Sequence, residues 1–420
     1  MPRRYKFITF GSLIGLFAGF VAGYAVYDGG AAFLDGPMSV LRPIEMFWID
    51  LLRIIVYPLI VSFLVLAVAA AAETKVAGKI GAWALGTHVV LLFIVTAFTV
   101  TVGPAILNTD PLSSESVQAF RDHALNSLEM DDTAPNAAAL DRAAAQKGLS
   151  FLERLYETLL SVNIVIVLIF SFVFALALGR VREGYRDPVL LFFRMLSKYS
   201  WYAVEGLLLV MPLVVLVVTY DVVARIGGRF AGTMGFWVIL LSSLLLIVTL
   251  ALYLVSFWAG KVSPGRFARA MLPVQILAFA SRSSLVCLPK LLEAANKGLA
   301  LPERVTGIVL PLSVSSFKLN RMVSTPMNMF FLTYLYGIEL DPALAASLVF
   351  TAMILSFAIP GIPSGGKFTT LPIYLAAGVP VEGVILLKAV DAIPDIFKTL
   401  INVTEDLTLT TVVARFAGPE

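Results

Sequence analysis

Apolar residues run in long unbroken blocks along the first two thirds of the chain and in short, interrupted blocks along the last third. A helix that crosses a bilayer needs about 20 apolar residues. Six blocks approach or exceed that length: about Ile8–Tyr27, Phe47–Ala71, Ile80–Leu107, Leu159–Leu178, Val204–Val223 and Phe236–Trp258, the last with no charged residue. Between the third and fourth blocks lies Asn108–Ser150, rich in Asp, Glu, Ala and Ser. It is predicted to be a solvated, partly disordered connection.

After Trp258 the pattern changes. Polar or helix-breaking residues interrupt four apolar segments: Ser281–Pro289 (SRSSLVCLP), Ser313–Arg321 (SVSSFKLNR), Pro360–Lys367 (PGIPSGGK) and Asp391–Asp406 (DAIPDIFKTLINVTED). Irregular backbone at membrane depth is tolerated only where it lines a protein-enclosed cavity, and paired interruptions point to a transporter site near the midplane. The first and third segments fit the tips of re-entrant hairpins, where small residues let the backbone turn and freed N–H groups can bind an anion. Read as a helix, the fourth places Asp391, Asp395, Lys398, Asn402 and Asp406 at steps of three and four, on one stripe. Charges at membrane depth face a protein interior or a water-filled path, not lipid. Pro394 is expected to kink this helix. The fold class is all-α, a polytopic membrane protein.

Composition agrees: of 420 residues 59% are apolar and 14% charged, far from the balance of a soluble domain. A net charge of +3 gives no sign of nucleic-acid binding. The single cysteine, Cys287, excludes an intrachain disulfide and a cysteine metal cluster. The two histidines, His88 and His123, have no zinc spacing and read as structural. Nothing resembles a nucleophile–base pair, a phosphate loop or a metal constellation, so no enzyme is expected. Basic groups at Arg3, Arg4 and Lys6, at Lys75 and Lys79, at Arg180, Arg182 and Arg186, and at Lys261, Arg266 and Arg269 alternate with the spans. The positive-inside rule places them, with the N-terminus, in the cytoplasm; the expectation is a multi-pass protein of the plasma or inner membrane with the C-terminus cytoplasmic as well. Trp48, Trp201 and Trp258 lie near span ends, where indoles favour the interface.

From about Pro264 to Phe416 the order and content of these segments resemble the glutamate/dicarboxylate:cation symporter family, which includes the archaeal aspartate transporters and the animal excitatory amino acid transporters. Arg282-Ser283-Ser284 resembles the serine-rich tip of the first hairpin, and Leu310-Pro311-Leu312 the entry to the seventh helix. Gly361-Ile362-Pro363 through Gly366 resembles the tip of the second hairpin. Asp391 to Asp395 with Lys398-Thr399 and Asn402 to Asp406 resembles the eighth helix. The resemblance implies eight transmembrane helices plus two re-entrant hairpins, a homotrimer, membrane lipid as surroundings, and an elevator movement. Scaffold spans one and two would lie in 1–79, transport-domain span three in 80–107, an extracellular acidic loop in 108–150, scaffold spans four and five in 151–232, and the rest of the transport domain in 233–420. It also implies roles. Asp395 binds the substrate amino group, Asn402 and the region of Ser283 and Ser284 bind the main carboxylate, and Thr399 and Gly366 lie beside the site. Lys398 takes the place of the usual arginine for the distal carboxylate, without its bidentate fork. Asp391 and Asp406 are acidic groups of the helix, with sodium possible at Asn402 and Asp406.

The seventh helix departs from the pattern. The family has NMDGT where this chain has Phe317-Lys318-Leu319-Asn320-Arg321. Phe317 and Leu319 cannot ligate a hard cation, which needs oxygen. In the third span Thr96-Ala97 resembles the Thr-Ser of the deep sodium site, with Phe93 where a tyrosine is usual. Two cations, Lys318 and Arg321, arrive in the same segment. A buried carboxylate needs a nearby positive charge whatever its source, so the expectation is that fixed cations replace bound sodium. Lys318 or Arg321 neutralises Asp406 or Asp391, while Arg321 and Lys398 hold the distal carboxylate. The alternative for both cations is snorkelling or structural pairing. No cofactor is expected; the coupling ion is Na+ or H+. The expected function is secondary transport of aspartate or glutamate. Two alternatives stay open: a C4-dicarboxylate or proton-coupled carrier, and a receptor or anion channel of the same fold.

Overall fold

The computed structural model describes residues 3–29, scattered positions between 36 and 66, 78–130, scattered positions from 170 to 178, 181–356 and 370–416. The regular elements among the described residues are helical. In chain order they are α1 (Arg3–Tyr27), α2 (Gly78–Leu107), α3 (Ser114–Met130), α4 (Glu183–Leu208), α5 (Met211–Ile226), α6 (Arg229–Trp258), α7 (Pro264–Ser281), α8 (Ser284–Glu293), α9 (Glu303–Ser316), α10 (Asn320–Tyr336), α11 (Pro342–Leu355), α12 (Leu371–Ala376), α13 (Val381–Ala389) and α14 (Pro394–Phe416). A single π turn, Ala294–Gly298, extends α8.

Among the described residues, three helices contain spans long and apolar enough to cross a membrane: Phe10–Tyr27, Lys79–Leu107 and Arg229–Trp258. They contain or closely match the first, third and sixth predicted blocks. The second and fourth blocks, Phe47–Ala71 and Leu159–Leu178, fall largely outside the described residues. The fifth block, Val204–Val223, is not one straight helix. α4 ends at Leu208, α5 starts at Met211, and their axes differ by 55°. Pro212 in the first turn of α5 explains the break, because its ring cannot donate to the preceding turn and clashes with it. The acidic connection is not all loop: α3 forms within it, and residues 131–150 lie outside the description. Trp48 is buried, and its Nε1 donates to Leu207 O at 2.7 Å.

α1 packs along α5. Its contact face is a glycine at every fourth position: Gly11, Gly15, Gly19 and Gly23. A Cβ on Gly15 would lie 2.3 Å from Pro212 O, and one on Gly19 2.4 Å from Leu216 O. The backbones therefore meet at a distance that only glycine permits, the small-residue packing of helices in lipid. Gly15→Leu is expected to destabilise the protein by about 1–3 kcal/mol through overpacking, read as a lower unfolding midpoint. Gly86→Leu is the control, since a Cβ there meets nothing within 4 Å.

The second packing group centres on α14, which is buried continuously from Ile401 to Val413. A helix buried all round is a core helix. α6, α7, α8, α9, α2 and α10 pack against it. Its start differs from expectation: Asp391 lies in a turn before the helix, and Pro394 opens α14 without kinking it. Proline suits the first turn because its missing N–H is not needed there.

Candidate functional site

Two breaks in helices meet on one side of α14. The first is the tip between α7 and α8. Arg282 adopts a left-handed conformation with φ 50°, which ends α7, and Ser283 caps α8 in extended conformation. The expected helix–turn–helix tip is therefore present. Ser283 and Ser284 are buried, and the Ser283 Oγ has no hydrogen-bond partner. Cys287 is buried among apolar neighbours and donates to Ser283 O at 3.3 Å, a packing role.

The second break is Phe317–Leu319, between α9 and α10. Freed backbone groups there would cost several kcal/mol at membrane depth if left unmade. Side chains take them up. Lys318 Nζ donates back to Val314 O at 2.6 Å and to Ser284 Oγ at 3.5 Å. Glu405 Oε2 accepts from Leu319 N at 3.2 Å, and Asn402 Oδ1 accepts from Asn320 N at 3.1 Å. Lys318 thus links the tip to the end of α9.

Lys318 and Arg321 are 6% and 8% exposed, so both are held inside the protein and neither snorkels. Lys318 faces Asp406 and Glu405. Both Asp406 oxygens are buried without a hydrogen-bond partner. Arg321 lies towards Tyr374, whose hydroxyl accepts from Asn328 Nδ2 at 3.1 Å. Trp237 Nε1 in turn donates to Asn328 Oδ1 at 3.2 Å, so α6, α10 and α12 are tied together behind the site.

The expected stripe is partly rearranged. Lys398 forms a buried ion pair with Asp391, a pairing the helical spacing does not suggest because Asp391 sits in the turn. Asp395 is half-buried, Thr399 is buried and donates to Asp395 O at 3.0 Å, and Asn402 is buried beside the break. The tip holding Gly366 and the other residues of Pro360–Lys367 lies outside the described residues. On α2, Phe93 and Ala97 are exposed and Thr96 is half-buried with its hydroxyl unpartnered, so this helix does not aim all three at α14.

Sequence reasoning did not single out Glu405, and it read His88 as structural without naming a partner. The two form a fully buried pair through His88 Nδ1 and Glu405 Oε1. The imidazole stacks on Phe317 with centroids 4.2 Å apart and planes 7° from parallel. The available signal was ionisable residues inside apolar spans, which are functional candidates by default. Glu405 also stands three residues after Asn402, on the same helical face.

A cation fits poorly at this break. Phe317 and Leu319 offer hydrocarbon side chains. Val314 O, Asn402 Oδ1 and both Glu405 oxygens are already engaged. Among the described residues no three His, Cys, Asp or Glu side chains gather as a metal cage. Anion recognition fits better. With Oδ1 of Asn402 committed as an acceptor, its Nδ2 is left as a pair of donors, and the N-terminus of α8 offers backbone N–H groups and a positive dipole end.

Residues 8–416 match the sodium:dicarboxylate symporter family. The chain is 25% identical to the "Proton/sodium-glutamate symport protein" of Bacillus subtilis (strain 168), over 98% of this chain and 94% of that protein. It is 24% identical to the "Proton/glutamate-aspartate symporter" of Escherichia coli (strain K12), over 90% of this chain and 86% of that one. It is 26% identical to the "Neutral amino acid transporter B(0)" of Oryctolagus cuniculus, over 96% of this chain and 79% of that one.

Proposed function

Because the chain belongs to the sodium:dicarboxylate symporter family, we propose that it is a secondary transporter of acidic amino acids, aspartate or glutamate. One observation carries the reading. The Asn320 N to Asn402 Oδ1 bond fixes the first turn of α10, which bears Arg321, against the face of α14 that bears Asp395 and Thr399. Arg321 and Asp395 thereby stand on two helices tied to each other, a cation and an anion of the kind that an amino acid with an acidic side chain requires. The α-carboxylate binds the α8 N-terminus, Ser283, Ser284 and Asn402 Nδ2. Asp395 takes the amino group, and Arg321 takes the distal carboxylate. Lys398 is committed to Asp391 and orders the entry to α14.

Coupling follows from charge. Lys318 carries its amine towards Asp406 and Glu405, in the role that a bound ion would otherwise fill. Transport therefore proceeds without sodium at the Phe317–Leu319 break, driven by protons or by exchange. The α1–α5 pair belongs to a trimeric scaffold, and the helices around α14 form the mobile part of an elevator. The N- and C-termini are cytoplasmic, and the second hairpin is the outer gate.

Substrate class is tested by competition against labelled aspartate bound to the purified protein. Aspartate and glutamate are expected to compete at the lowest concentrations. Malate lacks the amino group for Asp395, and serine lacks the distal carboxylate for Arg321, so each is weaker by about tenfold or more. Malate as the best competitor would favour the dicarboxylate carrier, and serine as the best would remove Arg321 from recognition. Binding without flux in proteoliposomes would favour the receptor.

A further inference from the structure

His88, Glu405, Phe317 and Leu319 make a closed circuit of contacts around the break. Glu405 holds Leu319 N through one oxygen and His88 through the other. His88 is stacked face to face on Phe317. The two ends of the break, Phe317 and Leu319, are thus gripped by one side-chain pair reaching from α14 and α2. All four residues are 0–3% exposed. Around this circuit lie Lys318 and Arg321 from the break and α10, Asp406 from α14, and Ser284 from α8.

We propose that Glu405 and His88 are positioning residues: they hold Phe317–Asn320 in its substrate-binding form with no metal ion. The idea rests on the transport reading above, since the geometry held is that of Arg321 and Asn320 against α14. The physical reason is directional. A carboxylate anchored at one oxygen can present the other along a single line, and that line fixes the Leu319 amide. The aromatic stack prevents the imidazole from turning away. Together they set the register in which α10 starts, and so where Arg321 points. Closed hydrogen-bonded circuits of buried groups are stiff because no member can move alone.

The test uses the full chain in lipid nanodiscs, in choline buffer and in sodium buffer. Hydrogen exchange is followed in peptides covering residues 314–322, and aspartate affinity is measured on the folded, monodisperse fraction. In the wild-type protein, exchange at Leu319 and Asn320 is expected to be slow and equal in the two buffers. Glu405→Ala is expected to speed Leu319 exchange and weaken aspartate by about tenfold. Glu405→Gln is expected to keep both within about threefold, because a carboxamide oxygen still accepts from Leu319 N. Slow exchange that requires sodium would overturn the proposal. So would a Glu405→Ala protein that is less stable yet binds aspartate as wild type does, because that is a purely structural role. Should the wild type bind neither aspartate nor glutamate, the transport reading fails by itself. The exchange comparison still decides the brace, because it needs no substrate. Should Glu405→Ala fail to fold, the choline–sodium comparison and Glu405→Gln decide it.

Discussion

Lys318→Met is expected to abolish aspartate uptake and to lower stability sharply. Methionine fills a similar volume, so the change removes charge and a donor more than bulk. Asp406 and Glu405 then face no ammonium, and Val314 O loses its partner. Breaking a buried charge arrangement on one side costs about 3–5 kcal/mol. If that loss falls on transport, uptake drops by about two to four orders of magnitude. Sodium is not expected to rescue it, because Phe317 and Leu319 still supply no oxygen. Uptake and thermal unfolding, each measured with and without sodium, check both parts.

Arg321→Thr is expected to weaken aspartate while leaving a neutral amino acid almost unchanged. A hydrogen bond to a charged group contributes about 1.5–3 kcal/mol, so the affinity for aspartate falls by about 10- to 100-fold. Serine, with no distal carboxylate, has nothing to lose at that position. The ratio of the two affinities is therefore the readout, and it is insensitive to a general loss of fold. Unchanged aspartate affinity would remove Arg321 from the site.

Much of this arrangement was legible in the chain itself. Broken apolar segments after Trp258 announced the tip at Arg282–Ser283 and the break at Phe317–Leu319, since small and polar residues interrupt hydrocarbon there. Lys318 and Arg321 stood out as cations where lipid exposure is too costly. What stayed hidden depends on distance along the chain. His88 and Glu405 are 317 residues apart, and no local pattern pairs them. The Lys398–Asp391 pair was misread because helical spacing was carried through Pro394, which instead starts the helix. Gly11, Gly15, Gly19 and Gly23 were visible as a period of four, but only the backbone approach to α5 shows why no side chain is tolerated. The bend between α4 and α5 follows from Pro212, which hydropathy alone does not register.

If fixed protein charge replaces bound sodium at the Phe317–Leu319 break, transport needs no sodium there. Uptake of labelled aspartate into proteoliposomes, with sodium and proton gradients imposed separately and together, tests it most directly. Accumulation in sodium-free choline buffer, driven by a proton gradient or by internal aspartate, is the predicted result. Accumulation only when a sodium gradient is present would contradict it.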